Sequence, residues 1–399
     1  MRHFNWALAV VMLFVLCGYS AARATDYNVT FCFKYEIDYD DAQGGDYWTD
    51  DYDKPARGIY VKITRNSDGA TMFQDWTDSD DGCAPTLVLS TNRHYTITAY
   101  LMAKLSNDNS IFVKSDEIAS VYSKVLSTDF TPNPNHSGPY NYCYPDGTEN
   151  GQNAVYLAAA AGFGLHRKPG GVSDEMLNII NHACPTGDYS CLSGGFVYIS
   201  SGSRDNKYVI LHEIGHWIGY ERNGEERWEH DYDLYDDLLC PAIDDSAGHD
   251  LLSMEEQRAA INEGWAQFYA AATWNDEEES DCEFYTLSNL DYNRDGYIDF
   301  IYSFSCLPGT GYENTYCTSY NIMSTEYDWM RFFWMWHHGG KSIGSLVEVI
   351  VDSNPTTWQC GTPAQCYAVY TGLRYSAITG HGYSQVTWDL WAPLLGLFN

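Results

Sequence analysis

The segment His212-Glu213-Ile214-Gly215-His216 constrains this chain more than any other. Side chains four residues apart share a face only when the backbone is helical. Two neutral imidazoles so placed can ligate one metal ion, at about 2.0–2.1 Å if the ion is zinc. The flanks predict a helix from Tyr208 to Tyr220: Val209, Ile210 and Leu211 precede the pair, and Trp217 and Ile218 follow it. Such a helix is apolar enough to be buried, and buried His and Glu need a partner, which a cation supplies. Glu213 directly follows the first histidine and is placed to reach a water on that metal. A catalytic zinc takes three protein ligands and keeps one position open, so a third donor has to come from another element.

Three residues compete for that place: Glu263, His230 and His249. The longer pattern H-E-x-x-H-x-x-G-x-x-H matches at Gly219, but its last histidine is replaced by Arg222, whose guanidinium stays protonated and cannot ligate. Glu263 lies in Asn262-Glu263-Gly264-Trp265-Ala266-Gln267-Phe268, inside a helix expected from the capping box Ser253-Met254-Glu255-Glu256 to about Trp274.

Together, H-E-x-x-H at 212–216 and Glu263-Gly264-Trp265-Ala266, which matches E-G-x-A, resemble the gluzincins, the thermolysin- and aminopeptidase-like zinc proteases. The runs GWAQFYAAATWN and YDWMRFFWMWHH look like those of secreted bacterial metalloprotease-like proteins, over about residues 150–399. The resemblance implies a zincin-like α+β fold, a catalytic zinc on His212, His216 and Glu263, and peptide hydrolysis with Glu213 as general base. It also implies an oxyanion donor far downstream, for which Tyr327, His337 and His338 are the candidates. Glu263 stands 47 residues after His216, farther than in thermolysin, so an acidic insertion at about 221–250 has to loop out.

A second metal signal is Asp291-Tyr292-Asn293-Arg294-Asp295-Gly296-Tyr297-Ile298-Asp299. Oxygen donors at positions 1, 3, 5 and 9, the carbonyl of Tyr297 at position 7 and a glycine at position 6 suit a structural calcium ion. Position 12 is Tyr302 rather than Glu, so a nine-residue calcium loop fits better than a full EF-hand. Gly340-Lys341-Ser342-Ile343-Gly344 matches G-x-S-x-G but follows no clear strand, so it reads as a glycine-rich loop.

The remaining organisation is read from periodicity. Residues 1–24 are expected to be a secretory signal: Arg2, an apolar run from Ala7 to Tyr19, then Ala22-Arg23-Ala24 as the cleavage site. No later run reaches membrane-spanning length, and a secreted, extracellular protein is expected. Residues 25–125 alternate as half-buried strands do (Val29, Phe31, Phe33, Tyr35; Ile59, Val61, Ile63; Tyr95, Ile97, Ala99), which predicts an all-β sandwich. Residues 126–150, with Pro132, Pro134, Pro139 and Pro145, read as a linker before a metallopeptidase domain over 151–399. There Ala154–Leu165 is expected as a helix, a second helix is expected from Asp174 capped by Ser173, and Gly195–Ser200 is expected as an edge strand able to pair with an extended substrate.

Export makes the cysteines disulfide candidates: Cys32–Cys83, Cys184–Cys191, Cys306–Cys317 and Cys360–Cys366, with Cys143 left over. The 22 basic against 54 acidic residues, a net charge of −32, argue against nucleic acid and an anionic membrane as partners. A peptide or protein substrate is expected instead. The rival from another class is a surface or binding protein whose zinc is structural or lost.

Overall fold

The computed structural model describes residues 25–36, 53–144, 154–203, 206–223, 255–275, 283–287, 301–305, 323–354, 363–394 and 397. The expected signal at 1–24, the calcium-like loop with Asp291, Asn293, Asp295, Tyr297 and Asp299, the rival ligands His230 and His249, and the Cys306–Cys317 pair lie outside them.

Among the described residues the fold is mixed α/β, with several sheets and seven α-helices. Ten strands come first: β1 (Asp26–Val29), β2 (Phe31–Glu36), β3 (Asp53–Pro55), β4 (Ile59–Arg65), β5 (Thr71–Trp76), β6 (Leu87–Ser90), β7 (Tyr95–Lys104), β8 (Ser110–Lys114), β9 (Ser123–Phe130) and β10 (Tyr140–Tyr144). Then follow α1 (Ala154–Arg167), β11 (Met176–Ile180), β12 (Cys191–Ser193), β13 (Phe196–Tyr198), α2 (Lys207–Asn223), β14 (Glu255–Glu256) and α3 (Gln257–Trp274). The last elements are β15 (Glu283–Leu287), β16 (Ile301–Ser305), β17 (Met323–Ser324), α4 (Glu326–His338), α5 (Ile343–Asp352), α6 (Pro363–Tyr375) and α7 (Gln385–Leu394).

The largest sheet runs β12-β13-β11-β8-β7-β4-β5, with β9 also paired to β7. Its long strand β7 alternates buried and half-buried residues along all ten positions, as a strand with one covered and one open face must. β8, β11 and β13 are mutually parallel, and the other pairs are antiparallel. Smaller sheets order β10-β2-β3 and β1-β6. The buried faces of the strands and the buried sides of the helices join in one contiguous apolar core, from Val29 to Leu397.

Three local expectations need correction. The stretch 126–150 is not a linker throughout, because it supplies the end of β9 and the whole of β10, and strands from both sides of it share the large sheet. No helix starts at Asp174. That residue takes a positive φ of 63° and turns the chain into β11. The run Met176–Ile180 pairs between two parallel neighbours, with Leu177, Ile179 and Ile180 buried and Met176 exposed. Nor does α3 begin at the capping box: Glu255 and Glu256 pair with Ser324 and Met323, and the helix starts at Gln257.

Disulfides join Cys32 to Cys83 and Cys184 to Cys191, Cys366 is disulfide-bonded, and Cys143 keeps its thiol. No helix of the described residues is long and apolar enough to cross a membrane.

The helical half is organised around α3, which is buried nearly all round. Such a helix has to accept neighbours closely on several sides. Gly264 is one of the contact points. A Cβ there would lie 2.6 Å from the Cβ of Trp329 and 2.7 Å from the carbonyl oxygen of Glu326 on α4. Neither atom is the end of a flexible side chain, so α3 and α4 would have to separate. Gly264→Ala is therefore expected to destabilise the protein by about 2 kcal/mol. The check is chemical denaturation: a lower midpoint with an unchanged slope.

Candidate metal centre

α2 begins where Asn206 caps it, its side-chain oxygen accepting from the backbone N–H groups of Tyr208 and Val209 at 3.1 and 3.2 Å. The helix is held by burial of Tyr208, Ile210, Leu211, Ile214, Trp217 and Ile218. α3 runs antiparallel across it, tied at three points. At one end the indole Nε1–H of Trp274 donates to the carbonyl of Lys207 at 3.1 Å. At the middle the indole of Trp265 donates to the carbonyl of Gly215 at 3.0 Å. One residue farther along α2, the Nδ1–H of His216 donates to the amide oxygen of Asn262 at 3.3 Å.

The middle tie requires glycine. A Cβ on Gly215 would come within 2.9 Å of the Cα of Ala266. This glycine, inside the H-E-x-x-H segment, lets the two backbones approach closely enough for a side chain of α3 to reach the histidines of α2.

The side chain that reaches them is Glu263. Its Oε2 lies 3.2 Å from Nε2 of His212 and 3.1 Å from Nε2 of His216, and the two Nε2 atoms are 3.0 Å apart. Three donors facing one another at these distances form a group able to hold a metal ion. The Glu263 side chain is 2% exposed, against 14% and 12% for His212 and His216, so the group opens on the histidine side. With the Nδ1 proton of His216 directed to Asn262, its Nε2 turns a lone pair into the triangle, as a metal ligand must. Nδ1 of His212 is buried and finds no hydrogen-bond partner among the described residues. Glu213 is also buried. Nearby, the Tyr269 hydroxyl donates to the carbonyl of Lys168 at 2.9 Å, and burial holds its phenol far above the usual tyrosine range, so it stays protonated.

Other expected site residues have different surroundings. The imidazole of His337 has both nitrogens engaged: Nδ1 donates to the carbonyl of Lys341 at 2.8 Å, and Nε2 accepts from the Lys168 ammonium at 3.0 Å. It packs against Phe268 and Trp334 and serves the junction of α1 and α4. Tyr327 is buried in the first turn of α4 with the Arg331 guanidinium 5.0 Å from its ring. Arg222 donates to the carbonyl of Gly171 at 3.0 Å and pairs with Glu348 of α5, a structural use of the position where the longer motif has a histidine. Ser342 caps α5, its oxygen accepting from the N–H of Ser345 at 3.1 Å, so the G-x-S-x-G match is a helix start. β13 lies between β11 and β12 and offers no open edge; the edge belongs to β12.

Asn262, Gly215 and Trp265 also shape this site, and little in the sequence marks them for it. Asn262 and Trp265 flank Glu263 and carried no periodic signal of their own. A glycine within a helical pattern does hint at a close packing contact, and at Gly215 that hint is correct. No protein-family model matches this chain, and no curated protein matches it.

Removing the amide of Asn262 frees the His216 ring to turn and to change tautomer without touching a ligand. Asn262→Ala is expected to weaken divalent-metal binding by about 10–100-fold. Competition against a chromophoric chelator measures this, and circular dichroism checks that the helices persist.

Proposed function

We propose that this chain is a secreted zinc-dependent peptidase of gluzincin type, with a β-sandwich as its N-terminal part and a zincin-like catalytic part over 151–399. The observation that carries the reading is the convergence of His212, His216 and Glu263, with donor atoms 3.0–3.2 Å apart. A tetrahedral zinc with bonds of about 2.0–2.1 Å sets its ligand atoms roughly 3.3–3.4 Å apart, so the observed triangle is within a few tenths of an ångström of what zinc needs. The three side chains are the right kinds, two imidazoles and one carboxylate. The disulfides fit an oxidising, extracellular setting.

The protein's own groups divide the work. His212, His216 and Glu263 hold the ion, and Asn262 orients His216. When bound, zinc lowers the pKa of a coordinated water to about 7 and polarises a substrate carbonyl. The Glu213 carboxylate takes a proton from the attacking water and delivers it to the leaving amine nitrogen. His337 is no part of this reading, because both of its nitrogens are committed inside the protein. A structural calcium in the loop 291–299 belongs to the same proposal.

Glu213→Gln is expected to keep bound zinc at wild-type stoichiometry and to lower peptide hydrolysis by about 10²–10⁴-fold. Metal analysis by mass spectrometry and cleavage of a mixed peptide library read the two quantities. Wild-type protein that carries zinc but cleaves nothing would leave the binding-protein reading in its place.

A further inference from the structure

The C-terminal stretch differs from the rest of the chain in charge. Residues 353–399 hold one base and one acid, Arg374 and Asp389, so the whole net charge of −32 belongs to residues 1–352. These two form a bidentate pair: Nε and Nη2 of Arg374 donate to the Asp389 carboxylate at 2.6 and 2.8 Å. The stretch therefore carries no unpaired Lys, Arg, Asp or Glu.

Its two described α-helices, α6 and α7, turn apolar side chains outward. Val386, Leu390 and Leu394 of α7 are 78%, 57% and 43% exposed, and Tyr367 and Tyr375 of α6 are 45% and 69% exposed. They make up half of the large apolar side chains that are exposed among the described residues. Positions four apart share one side of a helix, so 386, 390 and 394 form a stripe along α7. The opposite side of α7 is already used inside the protein. There Trp388 and Ala392 are buried, and the Trp388 indole donates to the Tyr370 hydroxyl at 3.2 Å. The outer stripe adds nothing to that packing. Together the five side chains leave roughly 600 Å² open, which matches the largest apolar patch on an ordinary monomer.

We propose that this face is the contact between two copies of the chain, related by a two-fold axis that passes near Leu390. Three observations select a second copy. Two chains of net charge −32 repel over most of their surfaces, but they can meet on a face where no charge is unpaired. Two patches of this size bury about 1,200 Å², the lower bound for a specific interface. A stripe with four-residue spacing is also a ridge that packs against its own copy, crossing at about −50°, and a two-fold contact requires such a self-complementary surface. An anionic lipid surface would repel the acidic remainder of the chain. The proposal is independent of the metal centre.

Sedimentation velocity of the full chain, over a range of concentrations and salt, tests it. A monomer–dimer equilibrium with a Kd of about micromolar size is expected from an interface near the lower bound. Added salt should tighten it, because salt screens the repulsion between the two acidic bodies. Leu390→Asp places like charges across the axis and should raise Kd at least tenfold. Val386→Gln with Leu394→Gln removes apolar surface without adding charge and should also raise it about tenfold. All three side chains are exposed, so the fold should persist, which circular dichroism checks. Leu390→Cys should give a covalent dimer on mild oxidation, whereas Ile118→Cys, at a position 94% exposed on a distant loop, should not. A single-chain mass at every concentration overturns the proposal. So does a dimer that neither α7 variant weakens, or a chain that stays monomeric in solution and sediments with phosphatidylcholine vesicles.

Discussion

Everything around the metal centre depends on how closely α2 and α3 cross. With Gly215 against Ala266, the backbones meet without an intervening side chain. That closeness lets a carboxylate, which is shorter than the lysine or arginine side chains that commonly bridge helices, reach from α3 to two imidazoles on α2. The crossing also buries Glu263 almost completely. An ionised carboxylate taken out of water costs roughly several kcal/mol unless it is paired. Its Oε2 is accordingly surrounded by polar atoms: two imidazole nitrogens lie within 3.2 Å. The indole of Trp265, one turn face away from Glu263, satisfies the carbonyl of Gly215 at the point of closest approach. Packing and site chemistry are thus two consequences of one contact, and a side chain at position 215 would disturb both.

The sheet supports this crossing from below. β11 and β13 extend the strand order begun by β8, so the large sheet draws on both halves of the chain. α1 lies between this sheet and α2, and Gly164 leaves room for Leu211, whose side chain would otherwise lie 2.8 Å from an added Cβ. Arg167 at the end of α1 donates to the carbonyls of Thr273 and Asn275, both at 2.9 Å, and so fixes the C-terminal end of α3. α4 closes the opposite side through Gly264, and the indole of Trp329 donates to Gln257 and Ser324 at 3.0 and 2.8 Å. Helix α3, which carries Glu263, is therefore held at both ends and on two faces, which gives Glu263 a single position.

Helix α2 was legible in the sequence because its signal is local: two histidines four apart between apolar flanks leave few alternatives. The strands β4 and β7 were legible for the same reason, alternation along a half-buried strand. Glu263 was reached by resemblance rather than by pattern, since 47 residues separate it from His216 and no periodicity spans such a gap. Ser173 and the box at 253–256 misled because a capping residue reports only a local preference, whereas pairing of β11 between parallel strands, and of Glu255–Glu256 with β17, is decided by distant partners. The same limit hid the inner position of β13, whose neighbour β12 precedes it, and the joining of the two halves into one sheet. His337 follows an aromatic run that packing explains, and its partner Lys168 is 169 residues away.

The choice between a catalytic and a structural role for the metal centre turns on closure. A structural zinc site takes four protein ligands and is sealed, whereas a catalytic one stops at three and keeps a face open. Among the described residues the group stops at three. Its exposure is also uneven: the carboxylate from α3 is sealed by the helices behind it, while both imidazoles keep some accessible surface. In the proposed peptidase the rigid side would fix the ligands through Asn262 and the buried crossing, and the open side would admit a water and a carbonyl. Glu213, one residue beyond His212, is buried on the same helix, so the base of the proposed reaction would be carried by the element that carries the histidines rather than delivered by a separate loop.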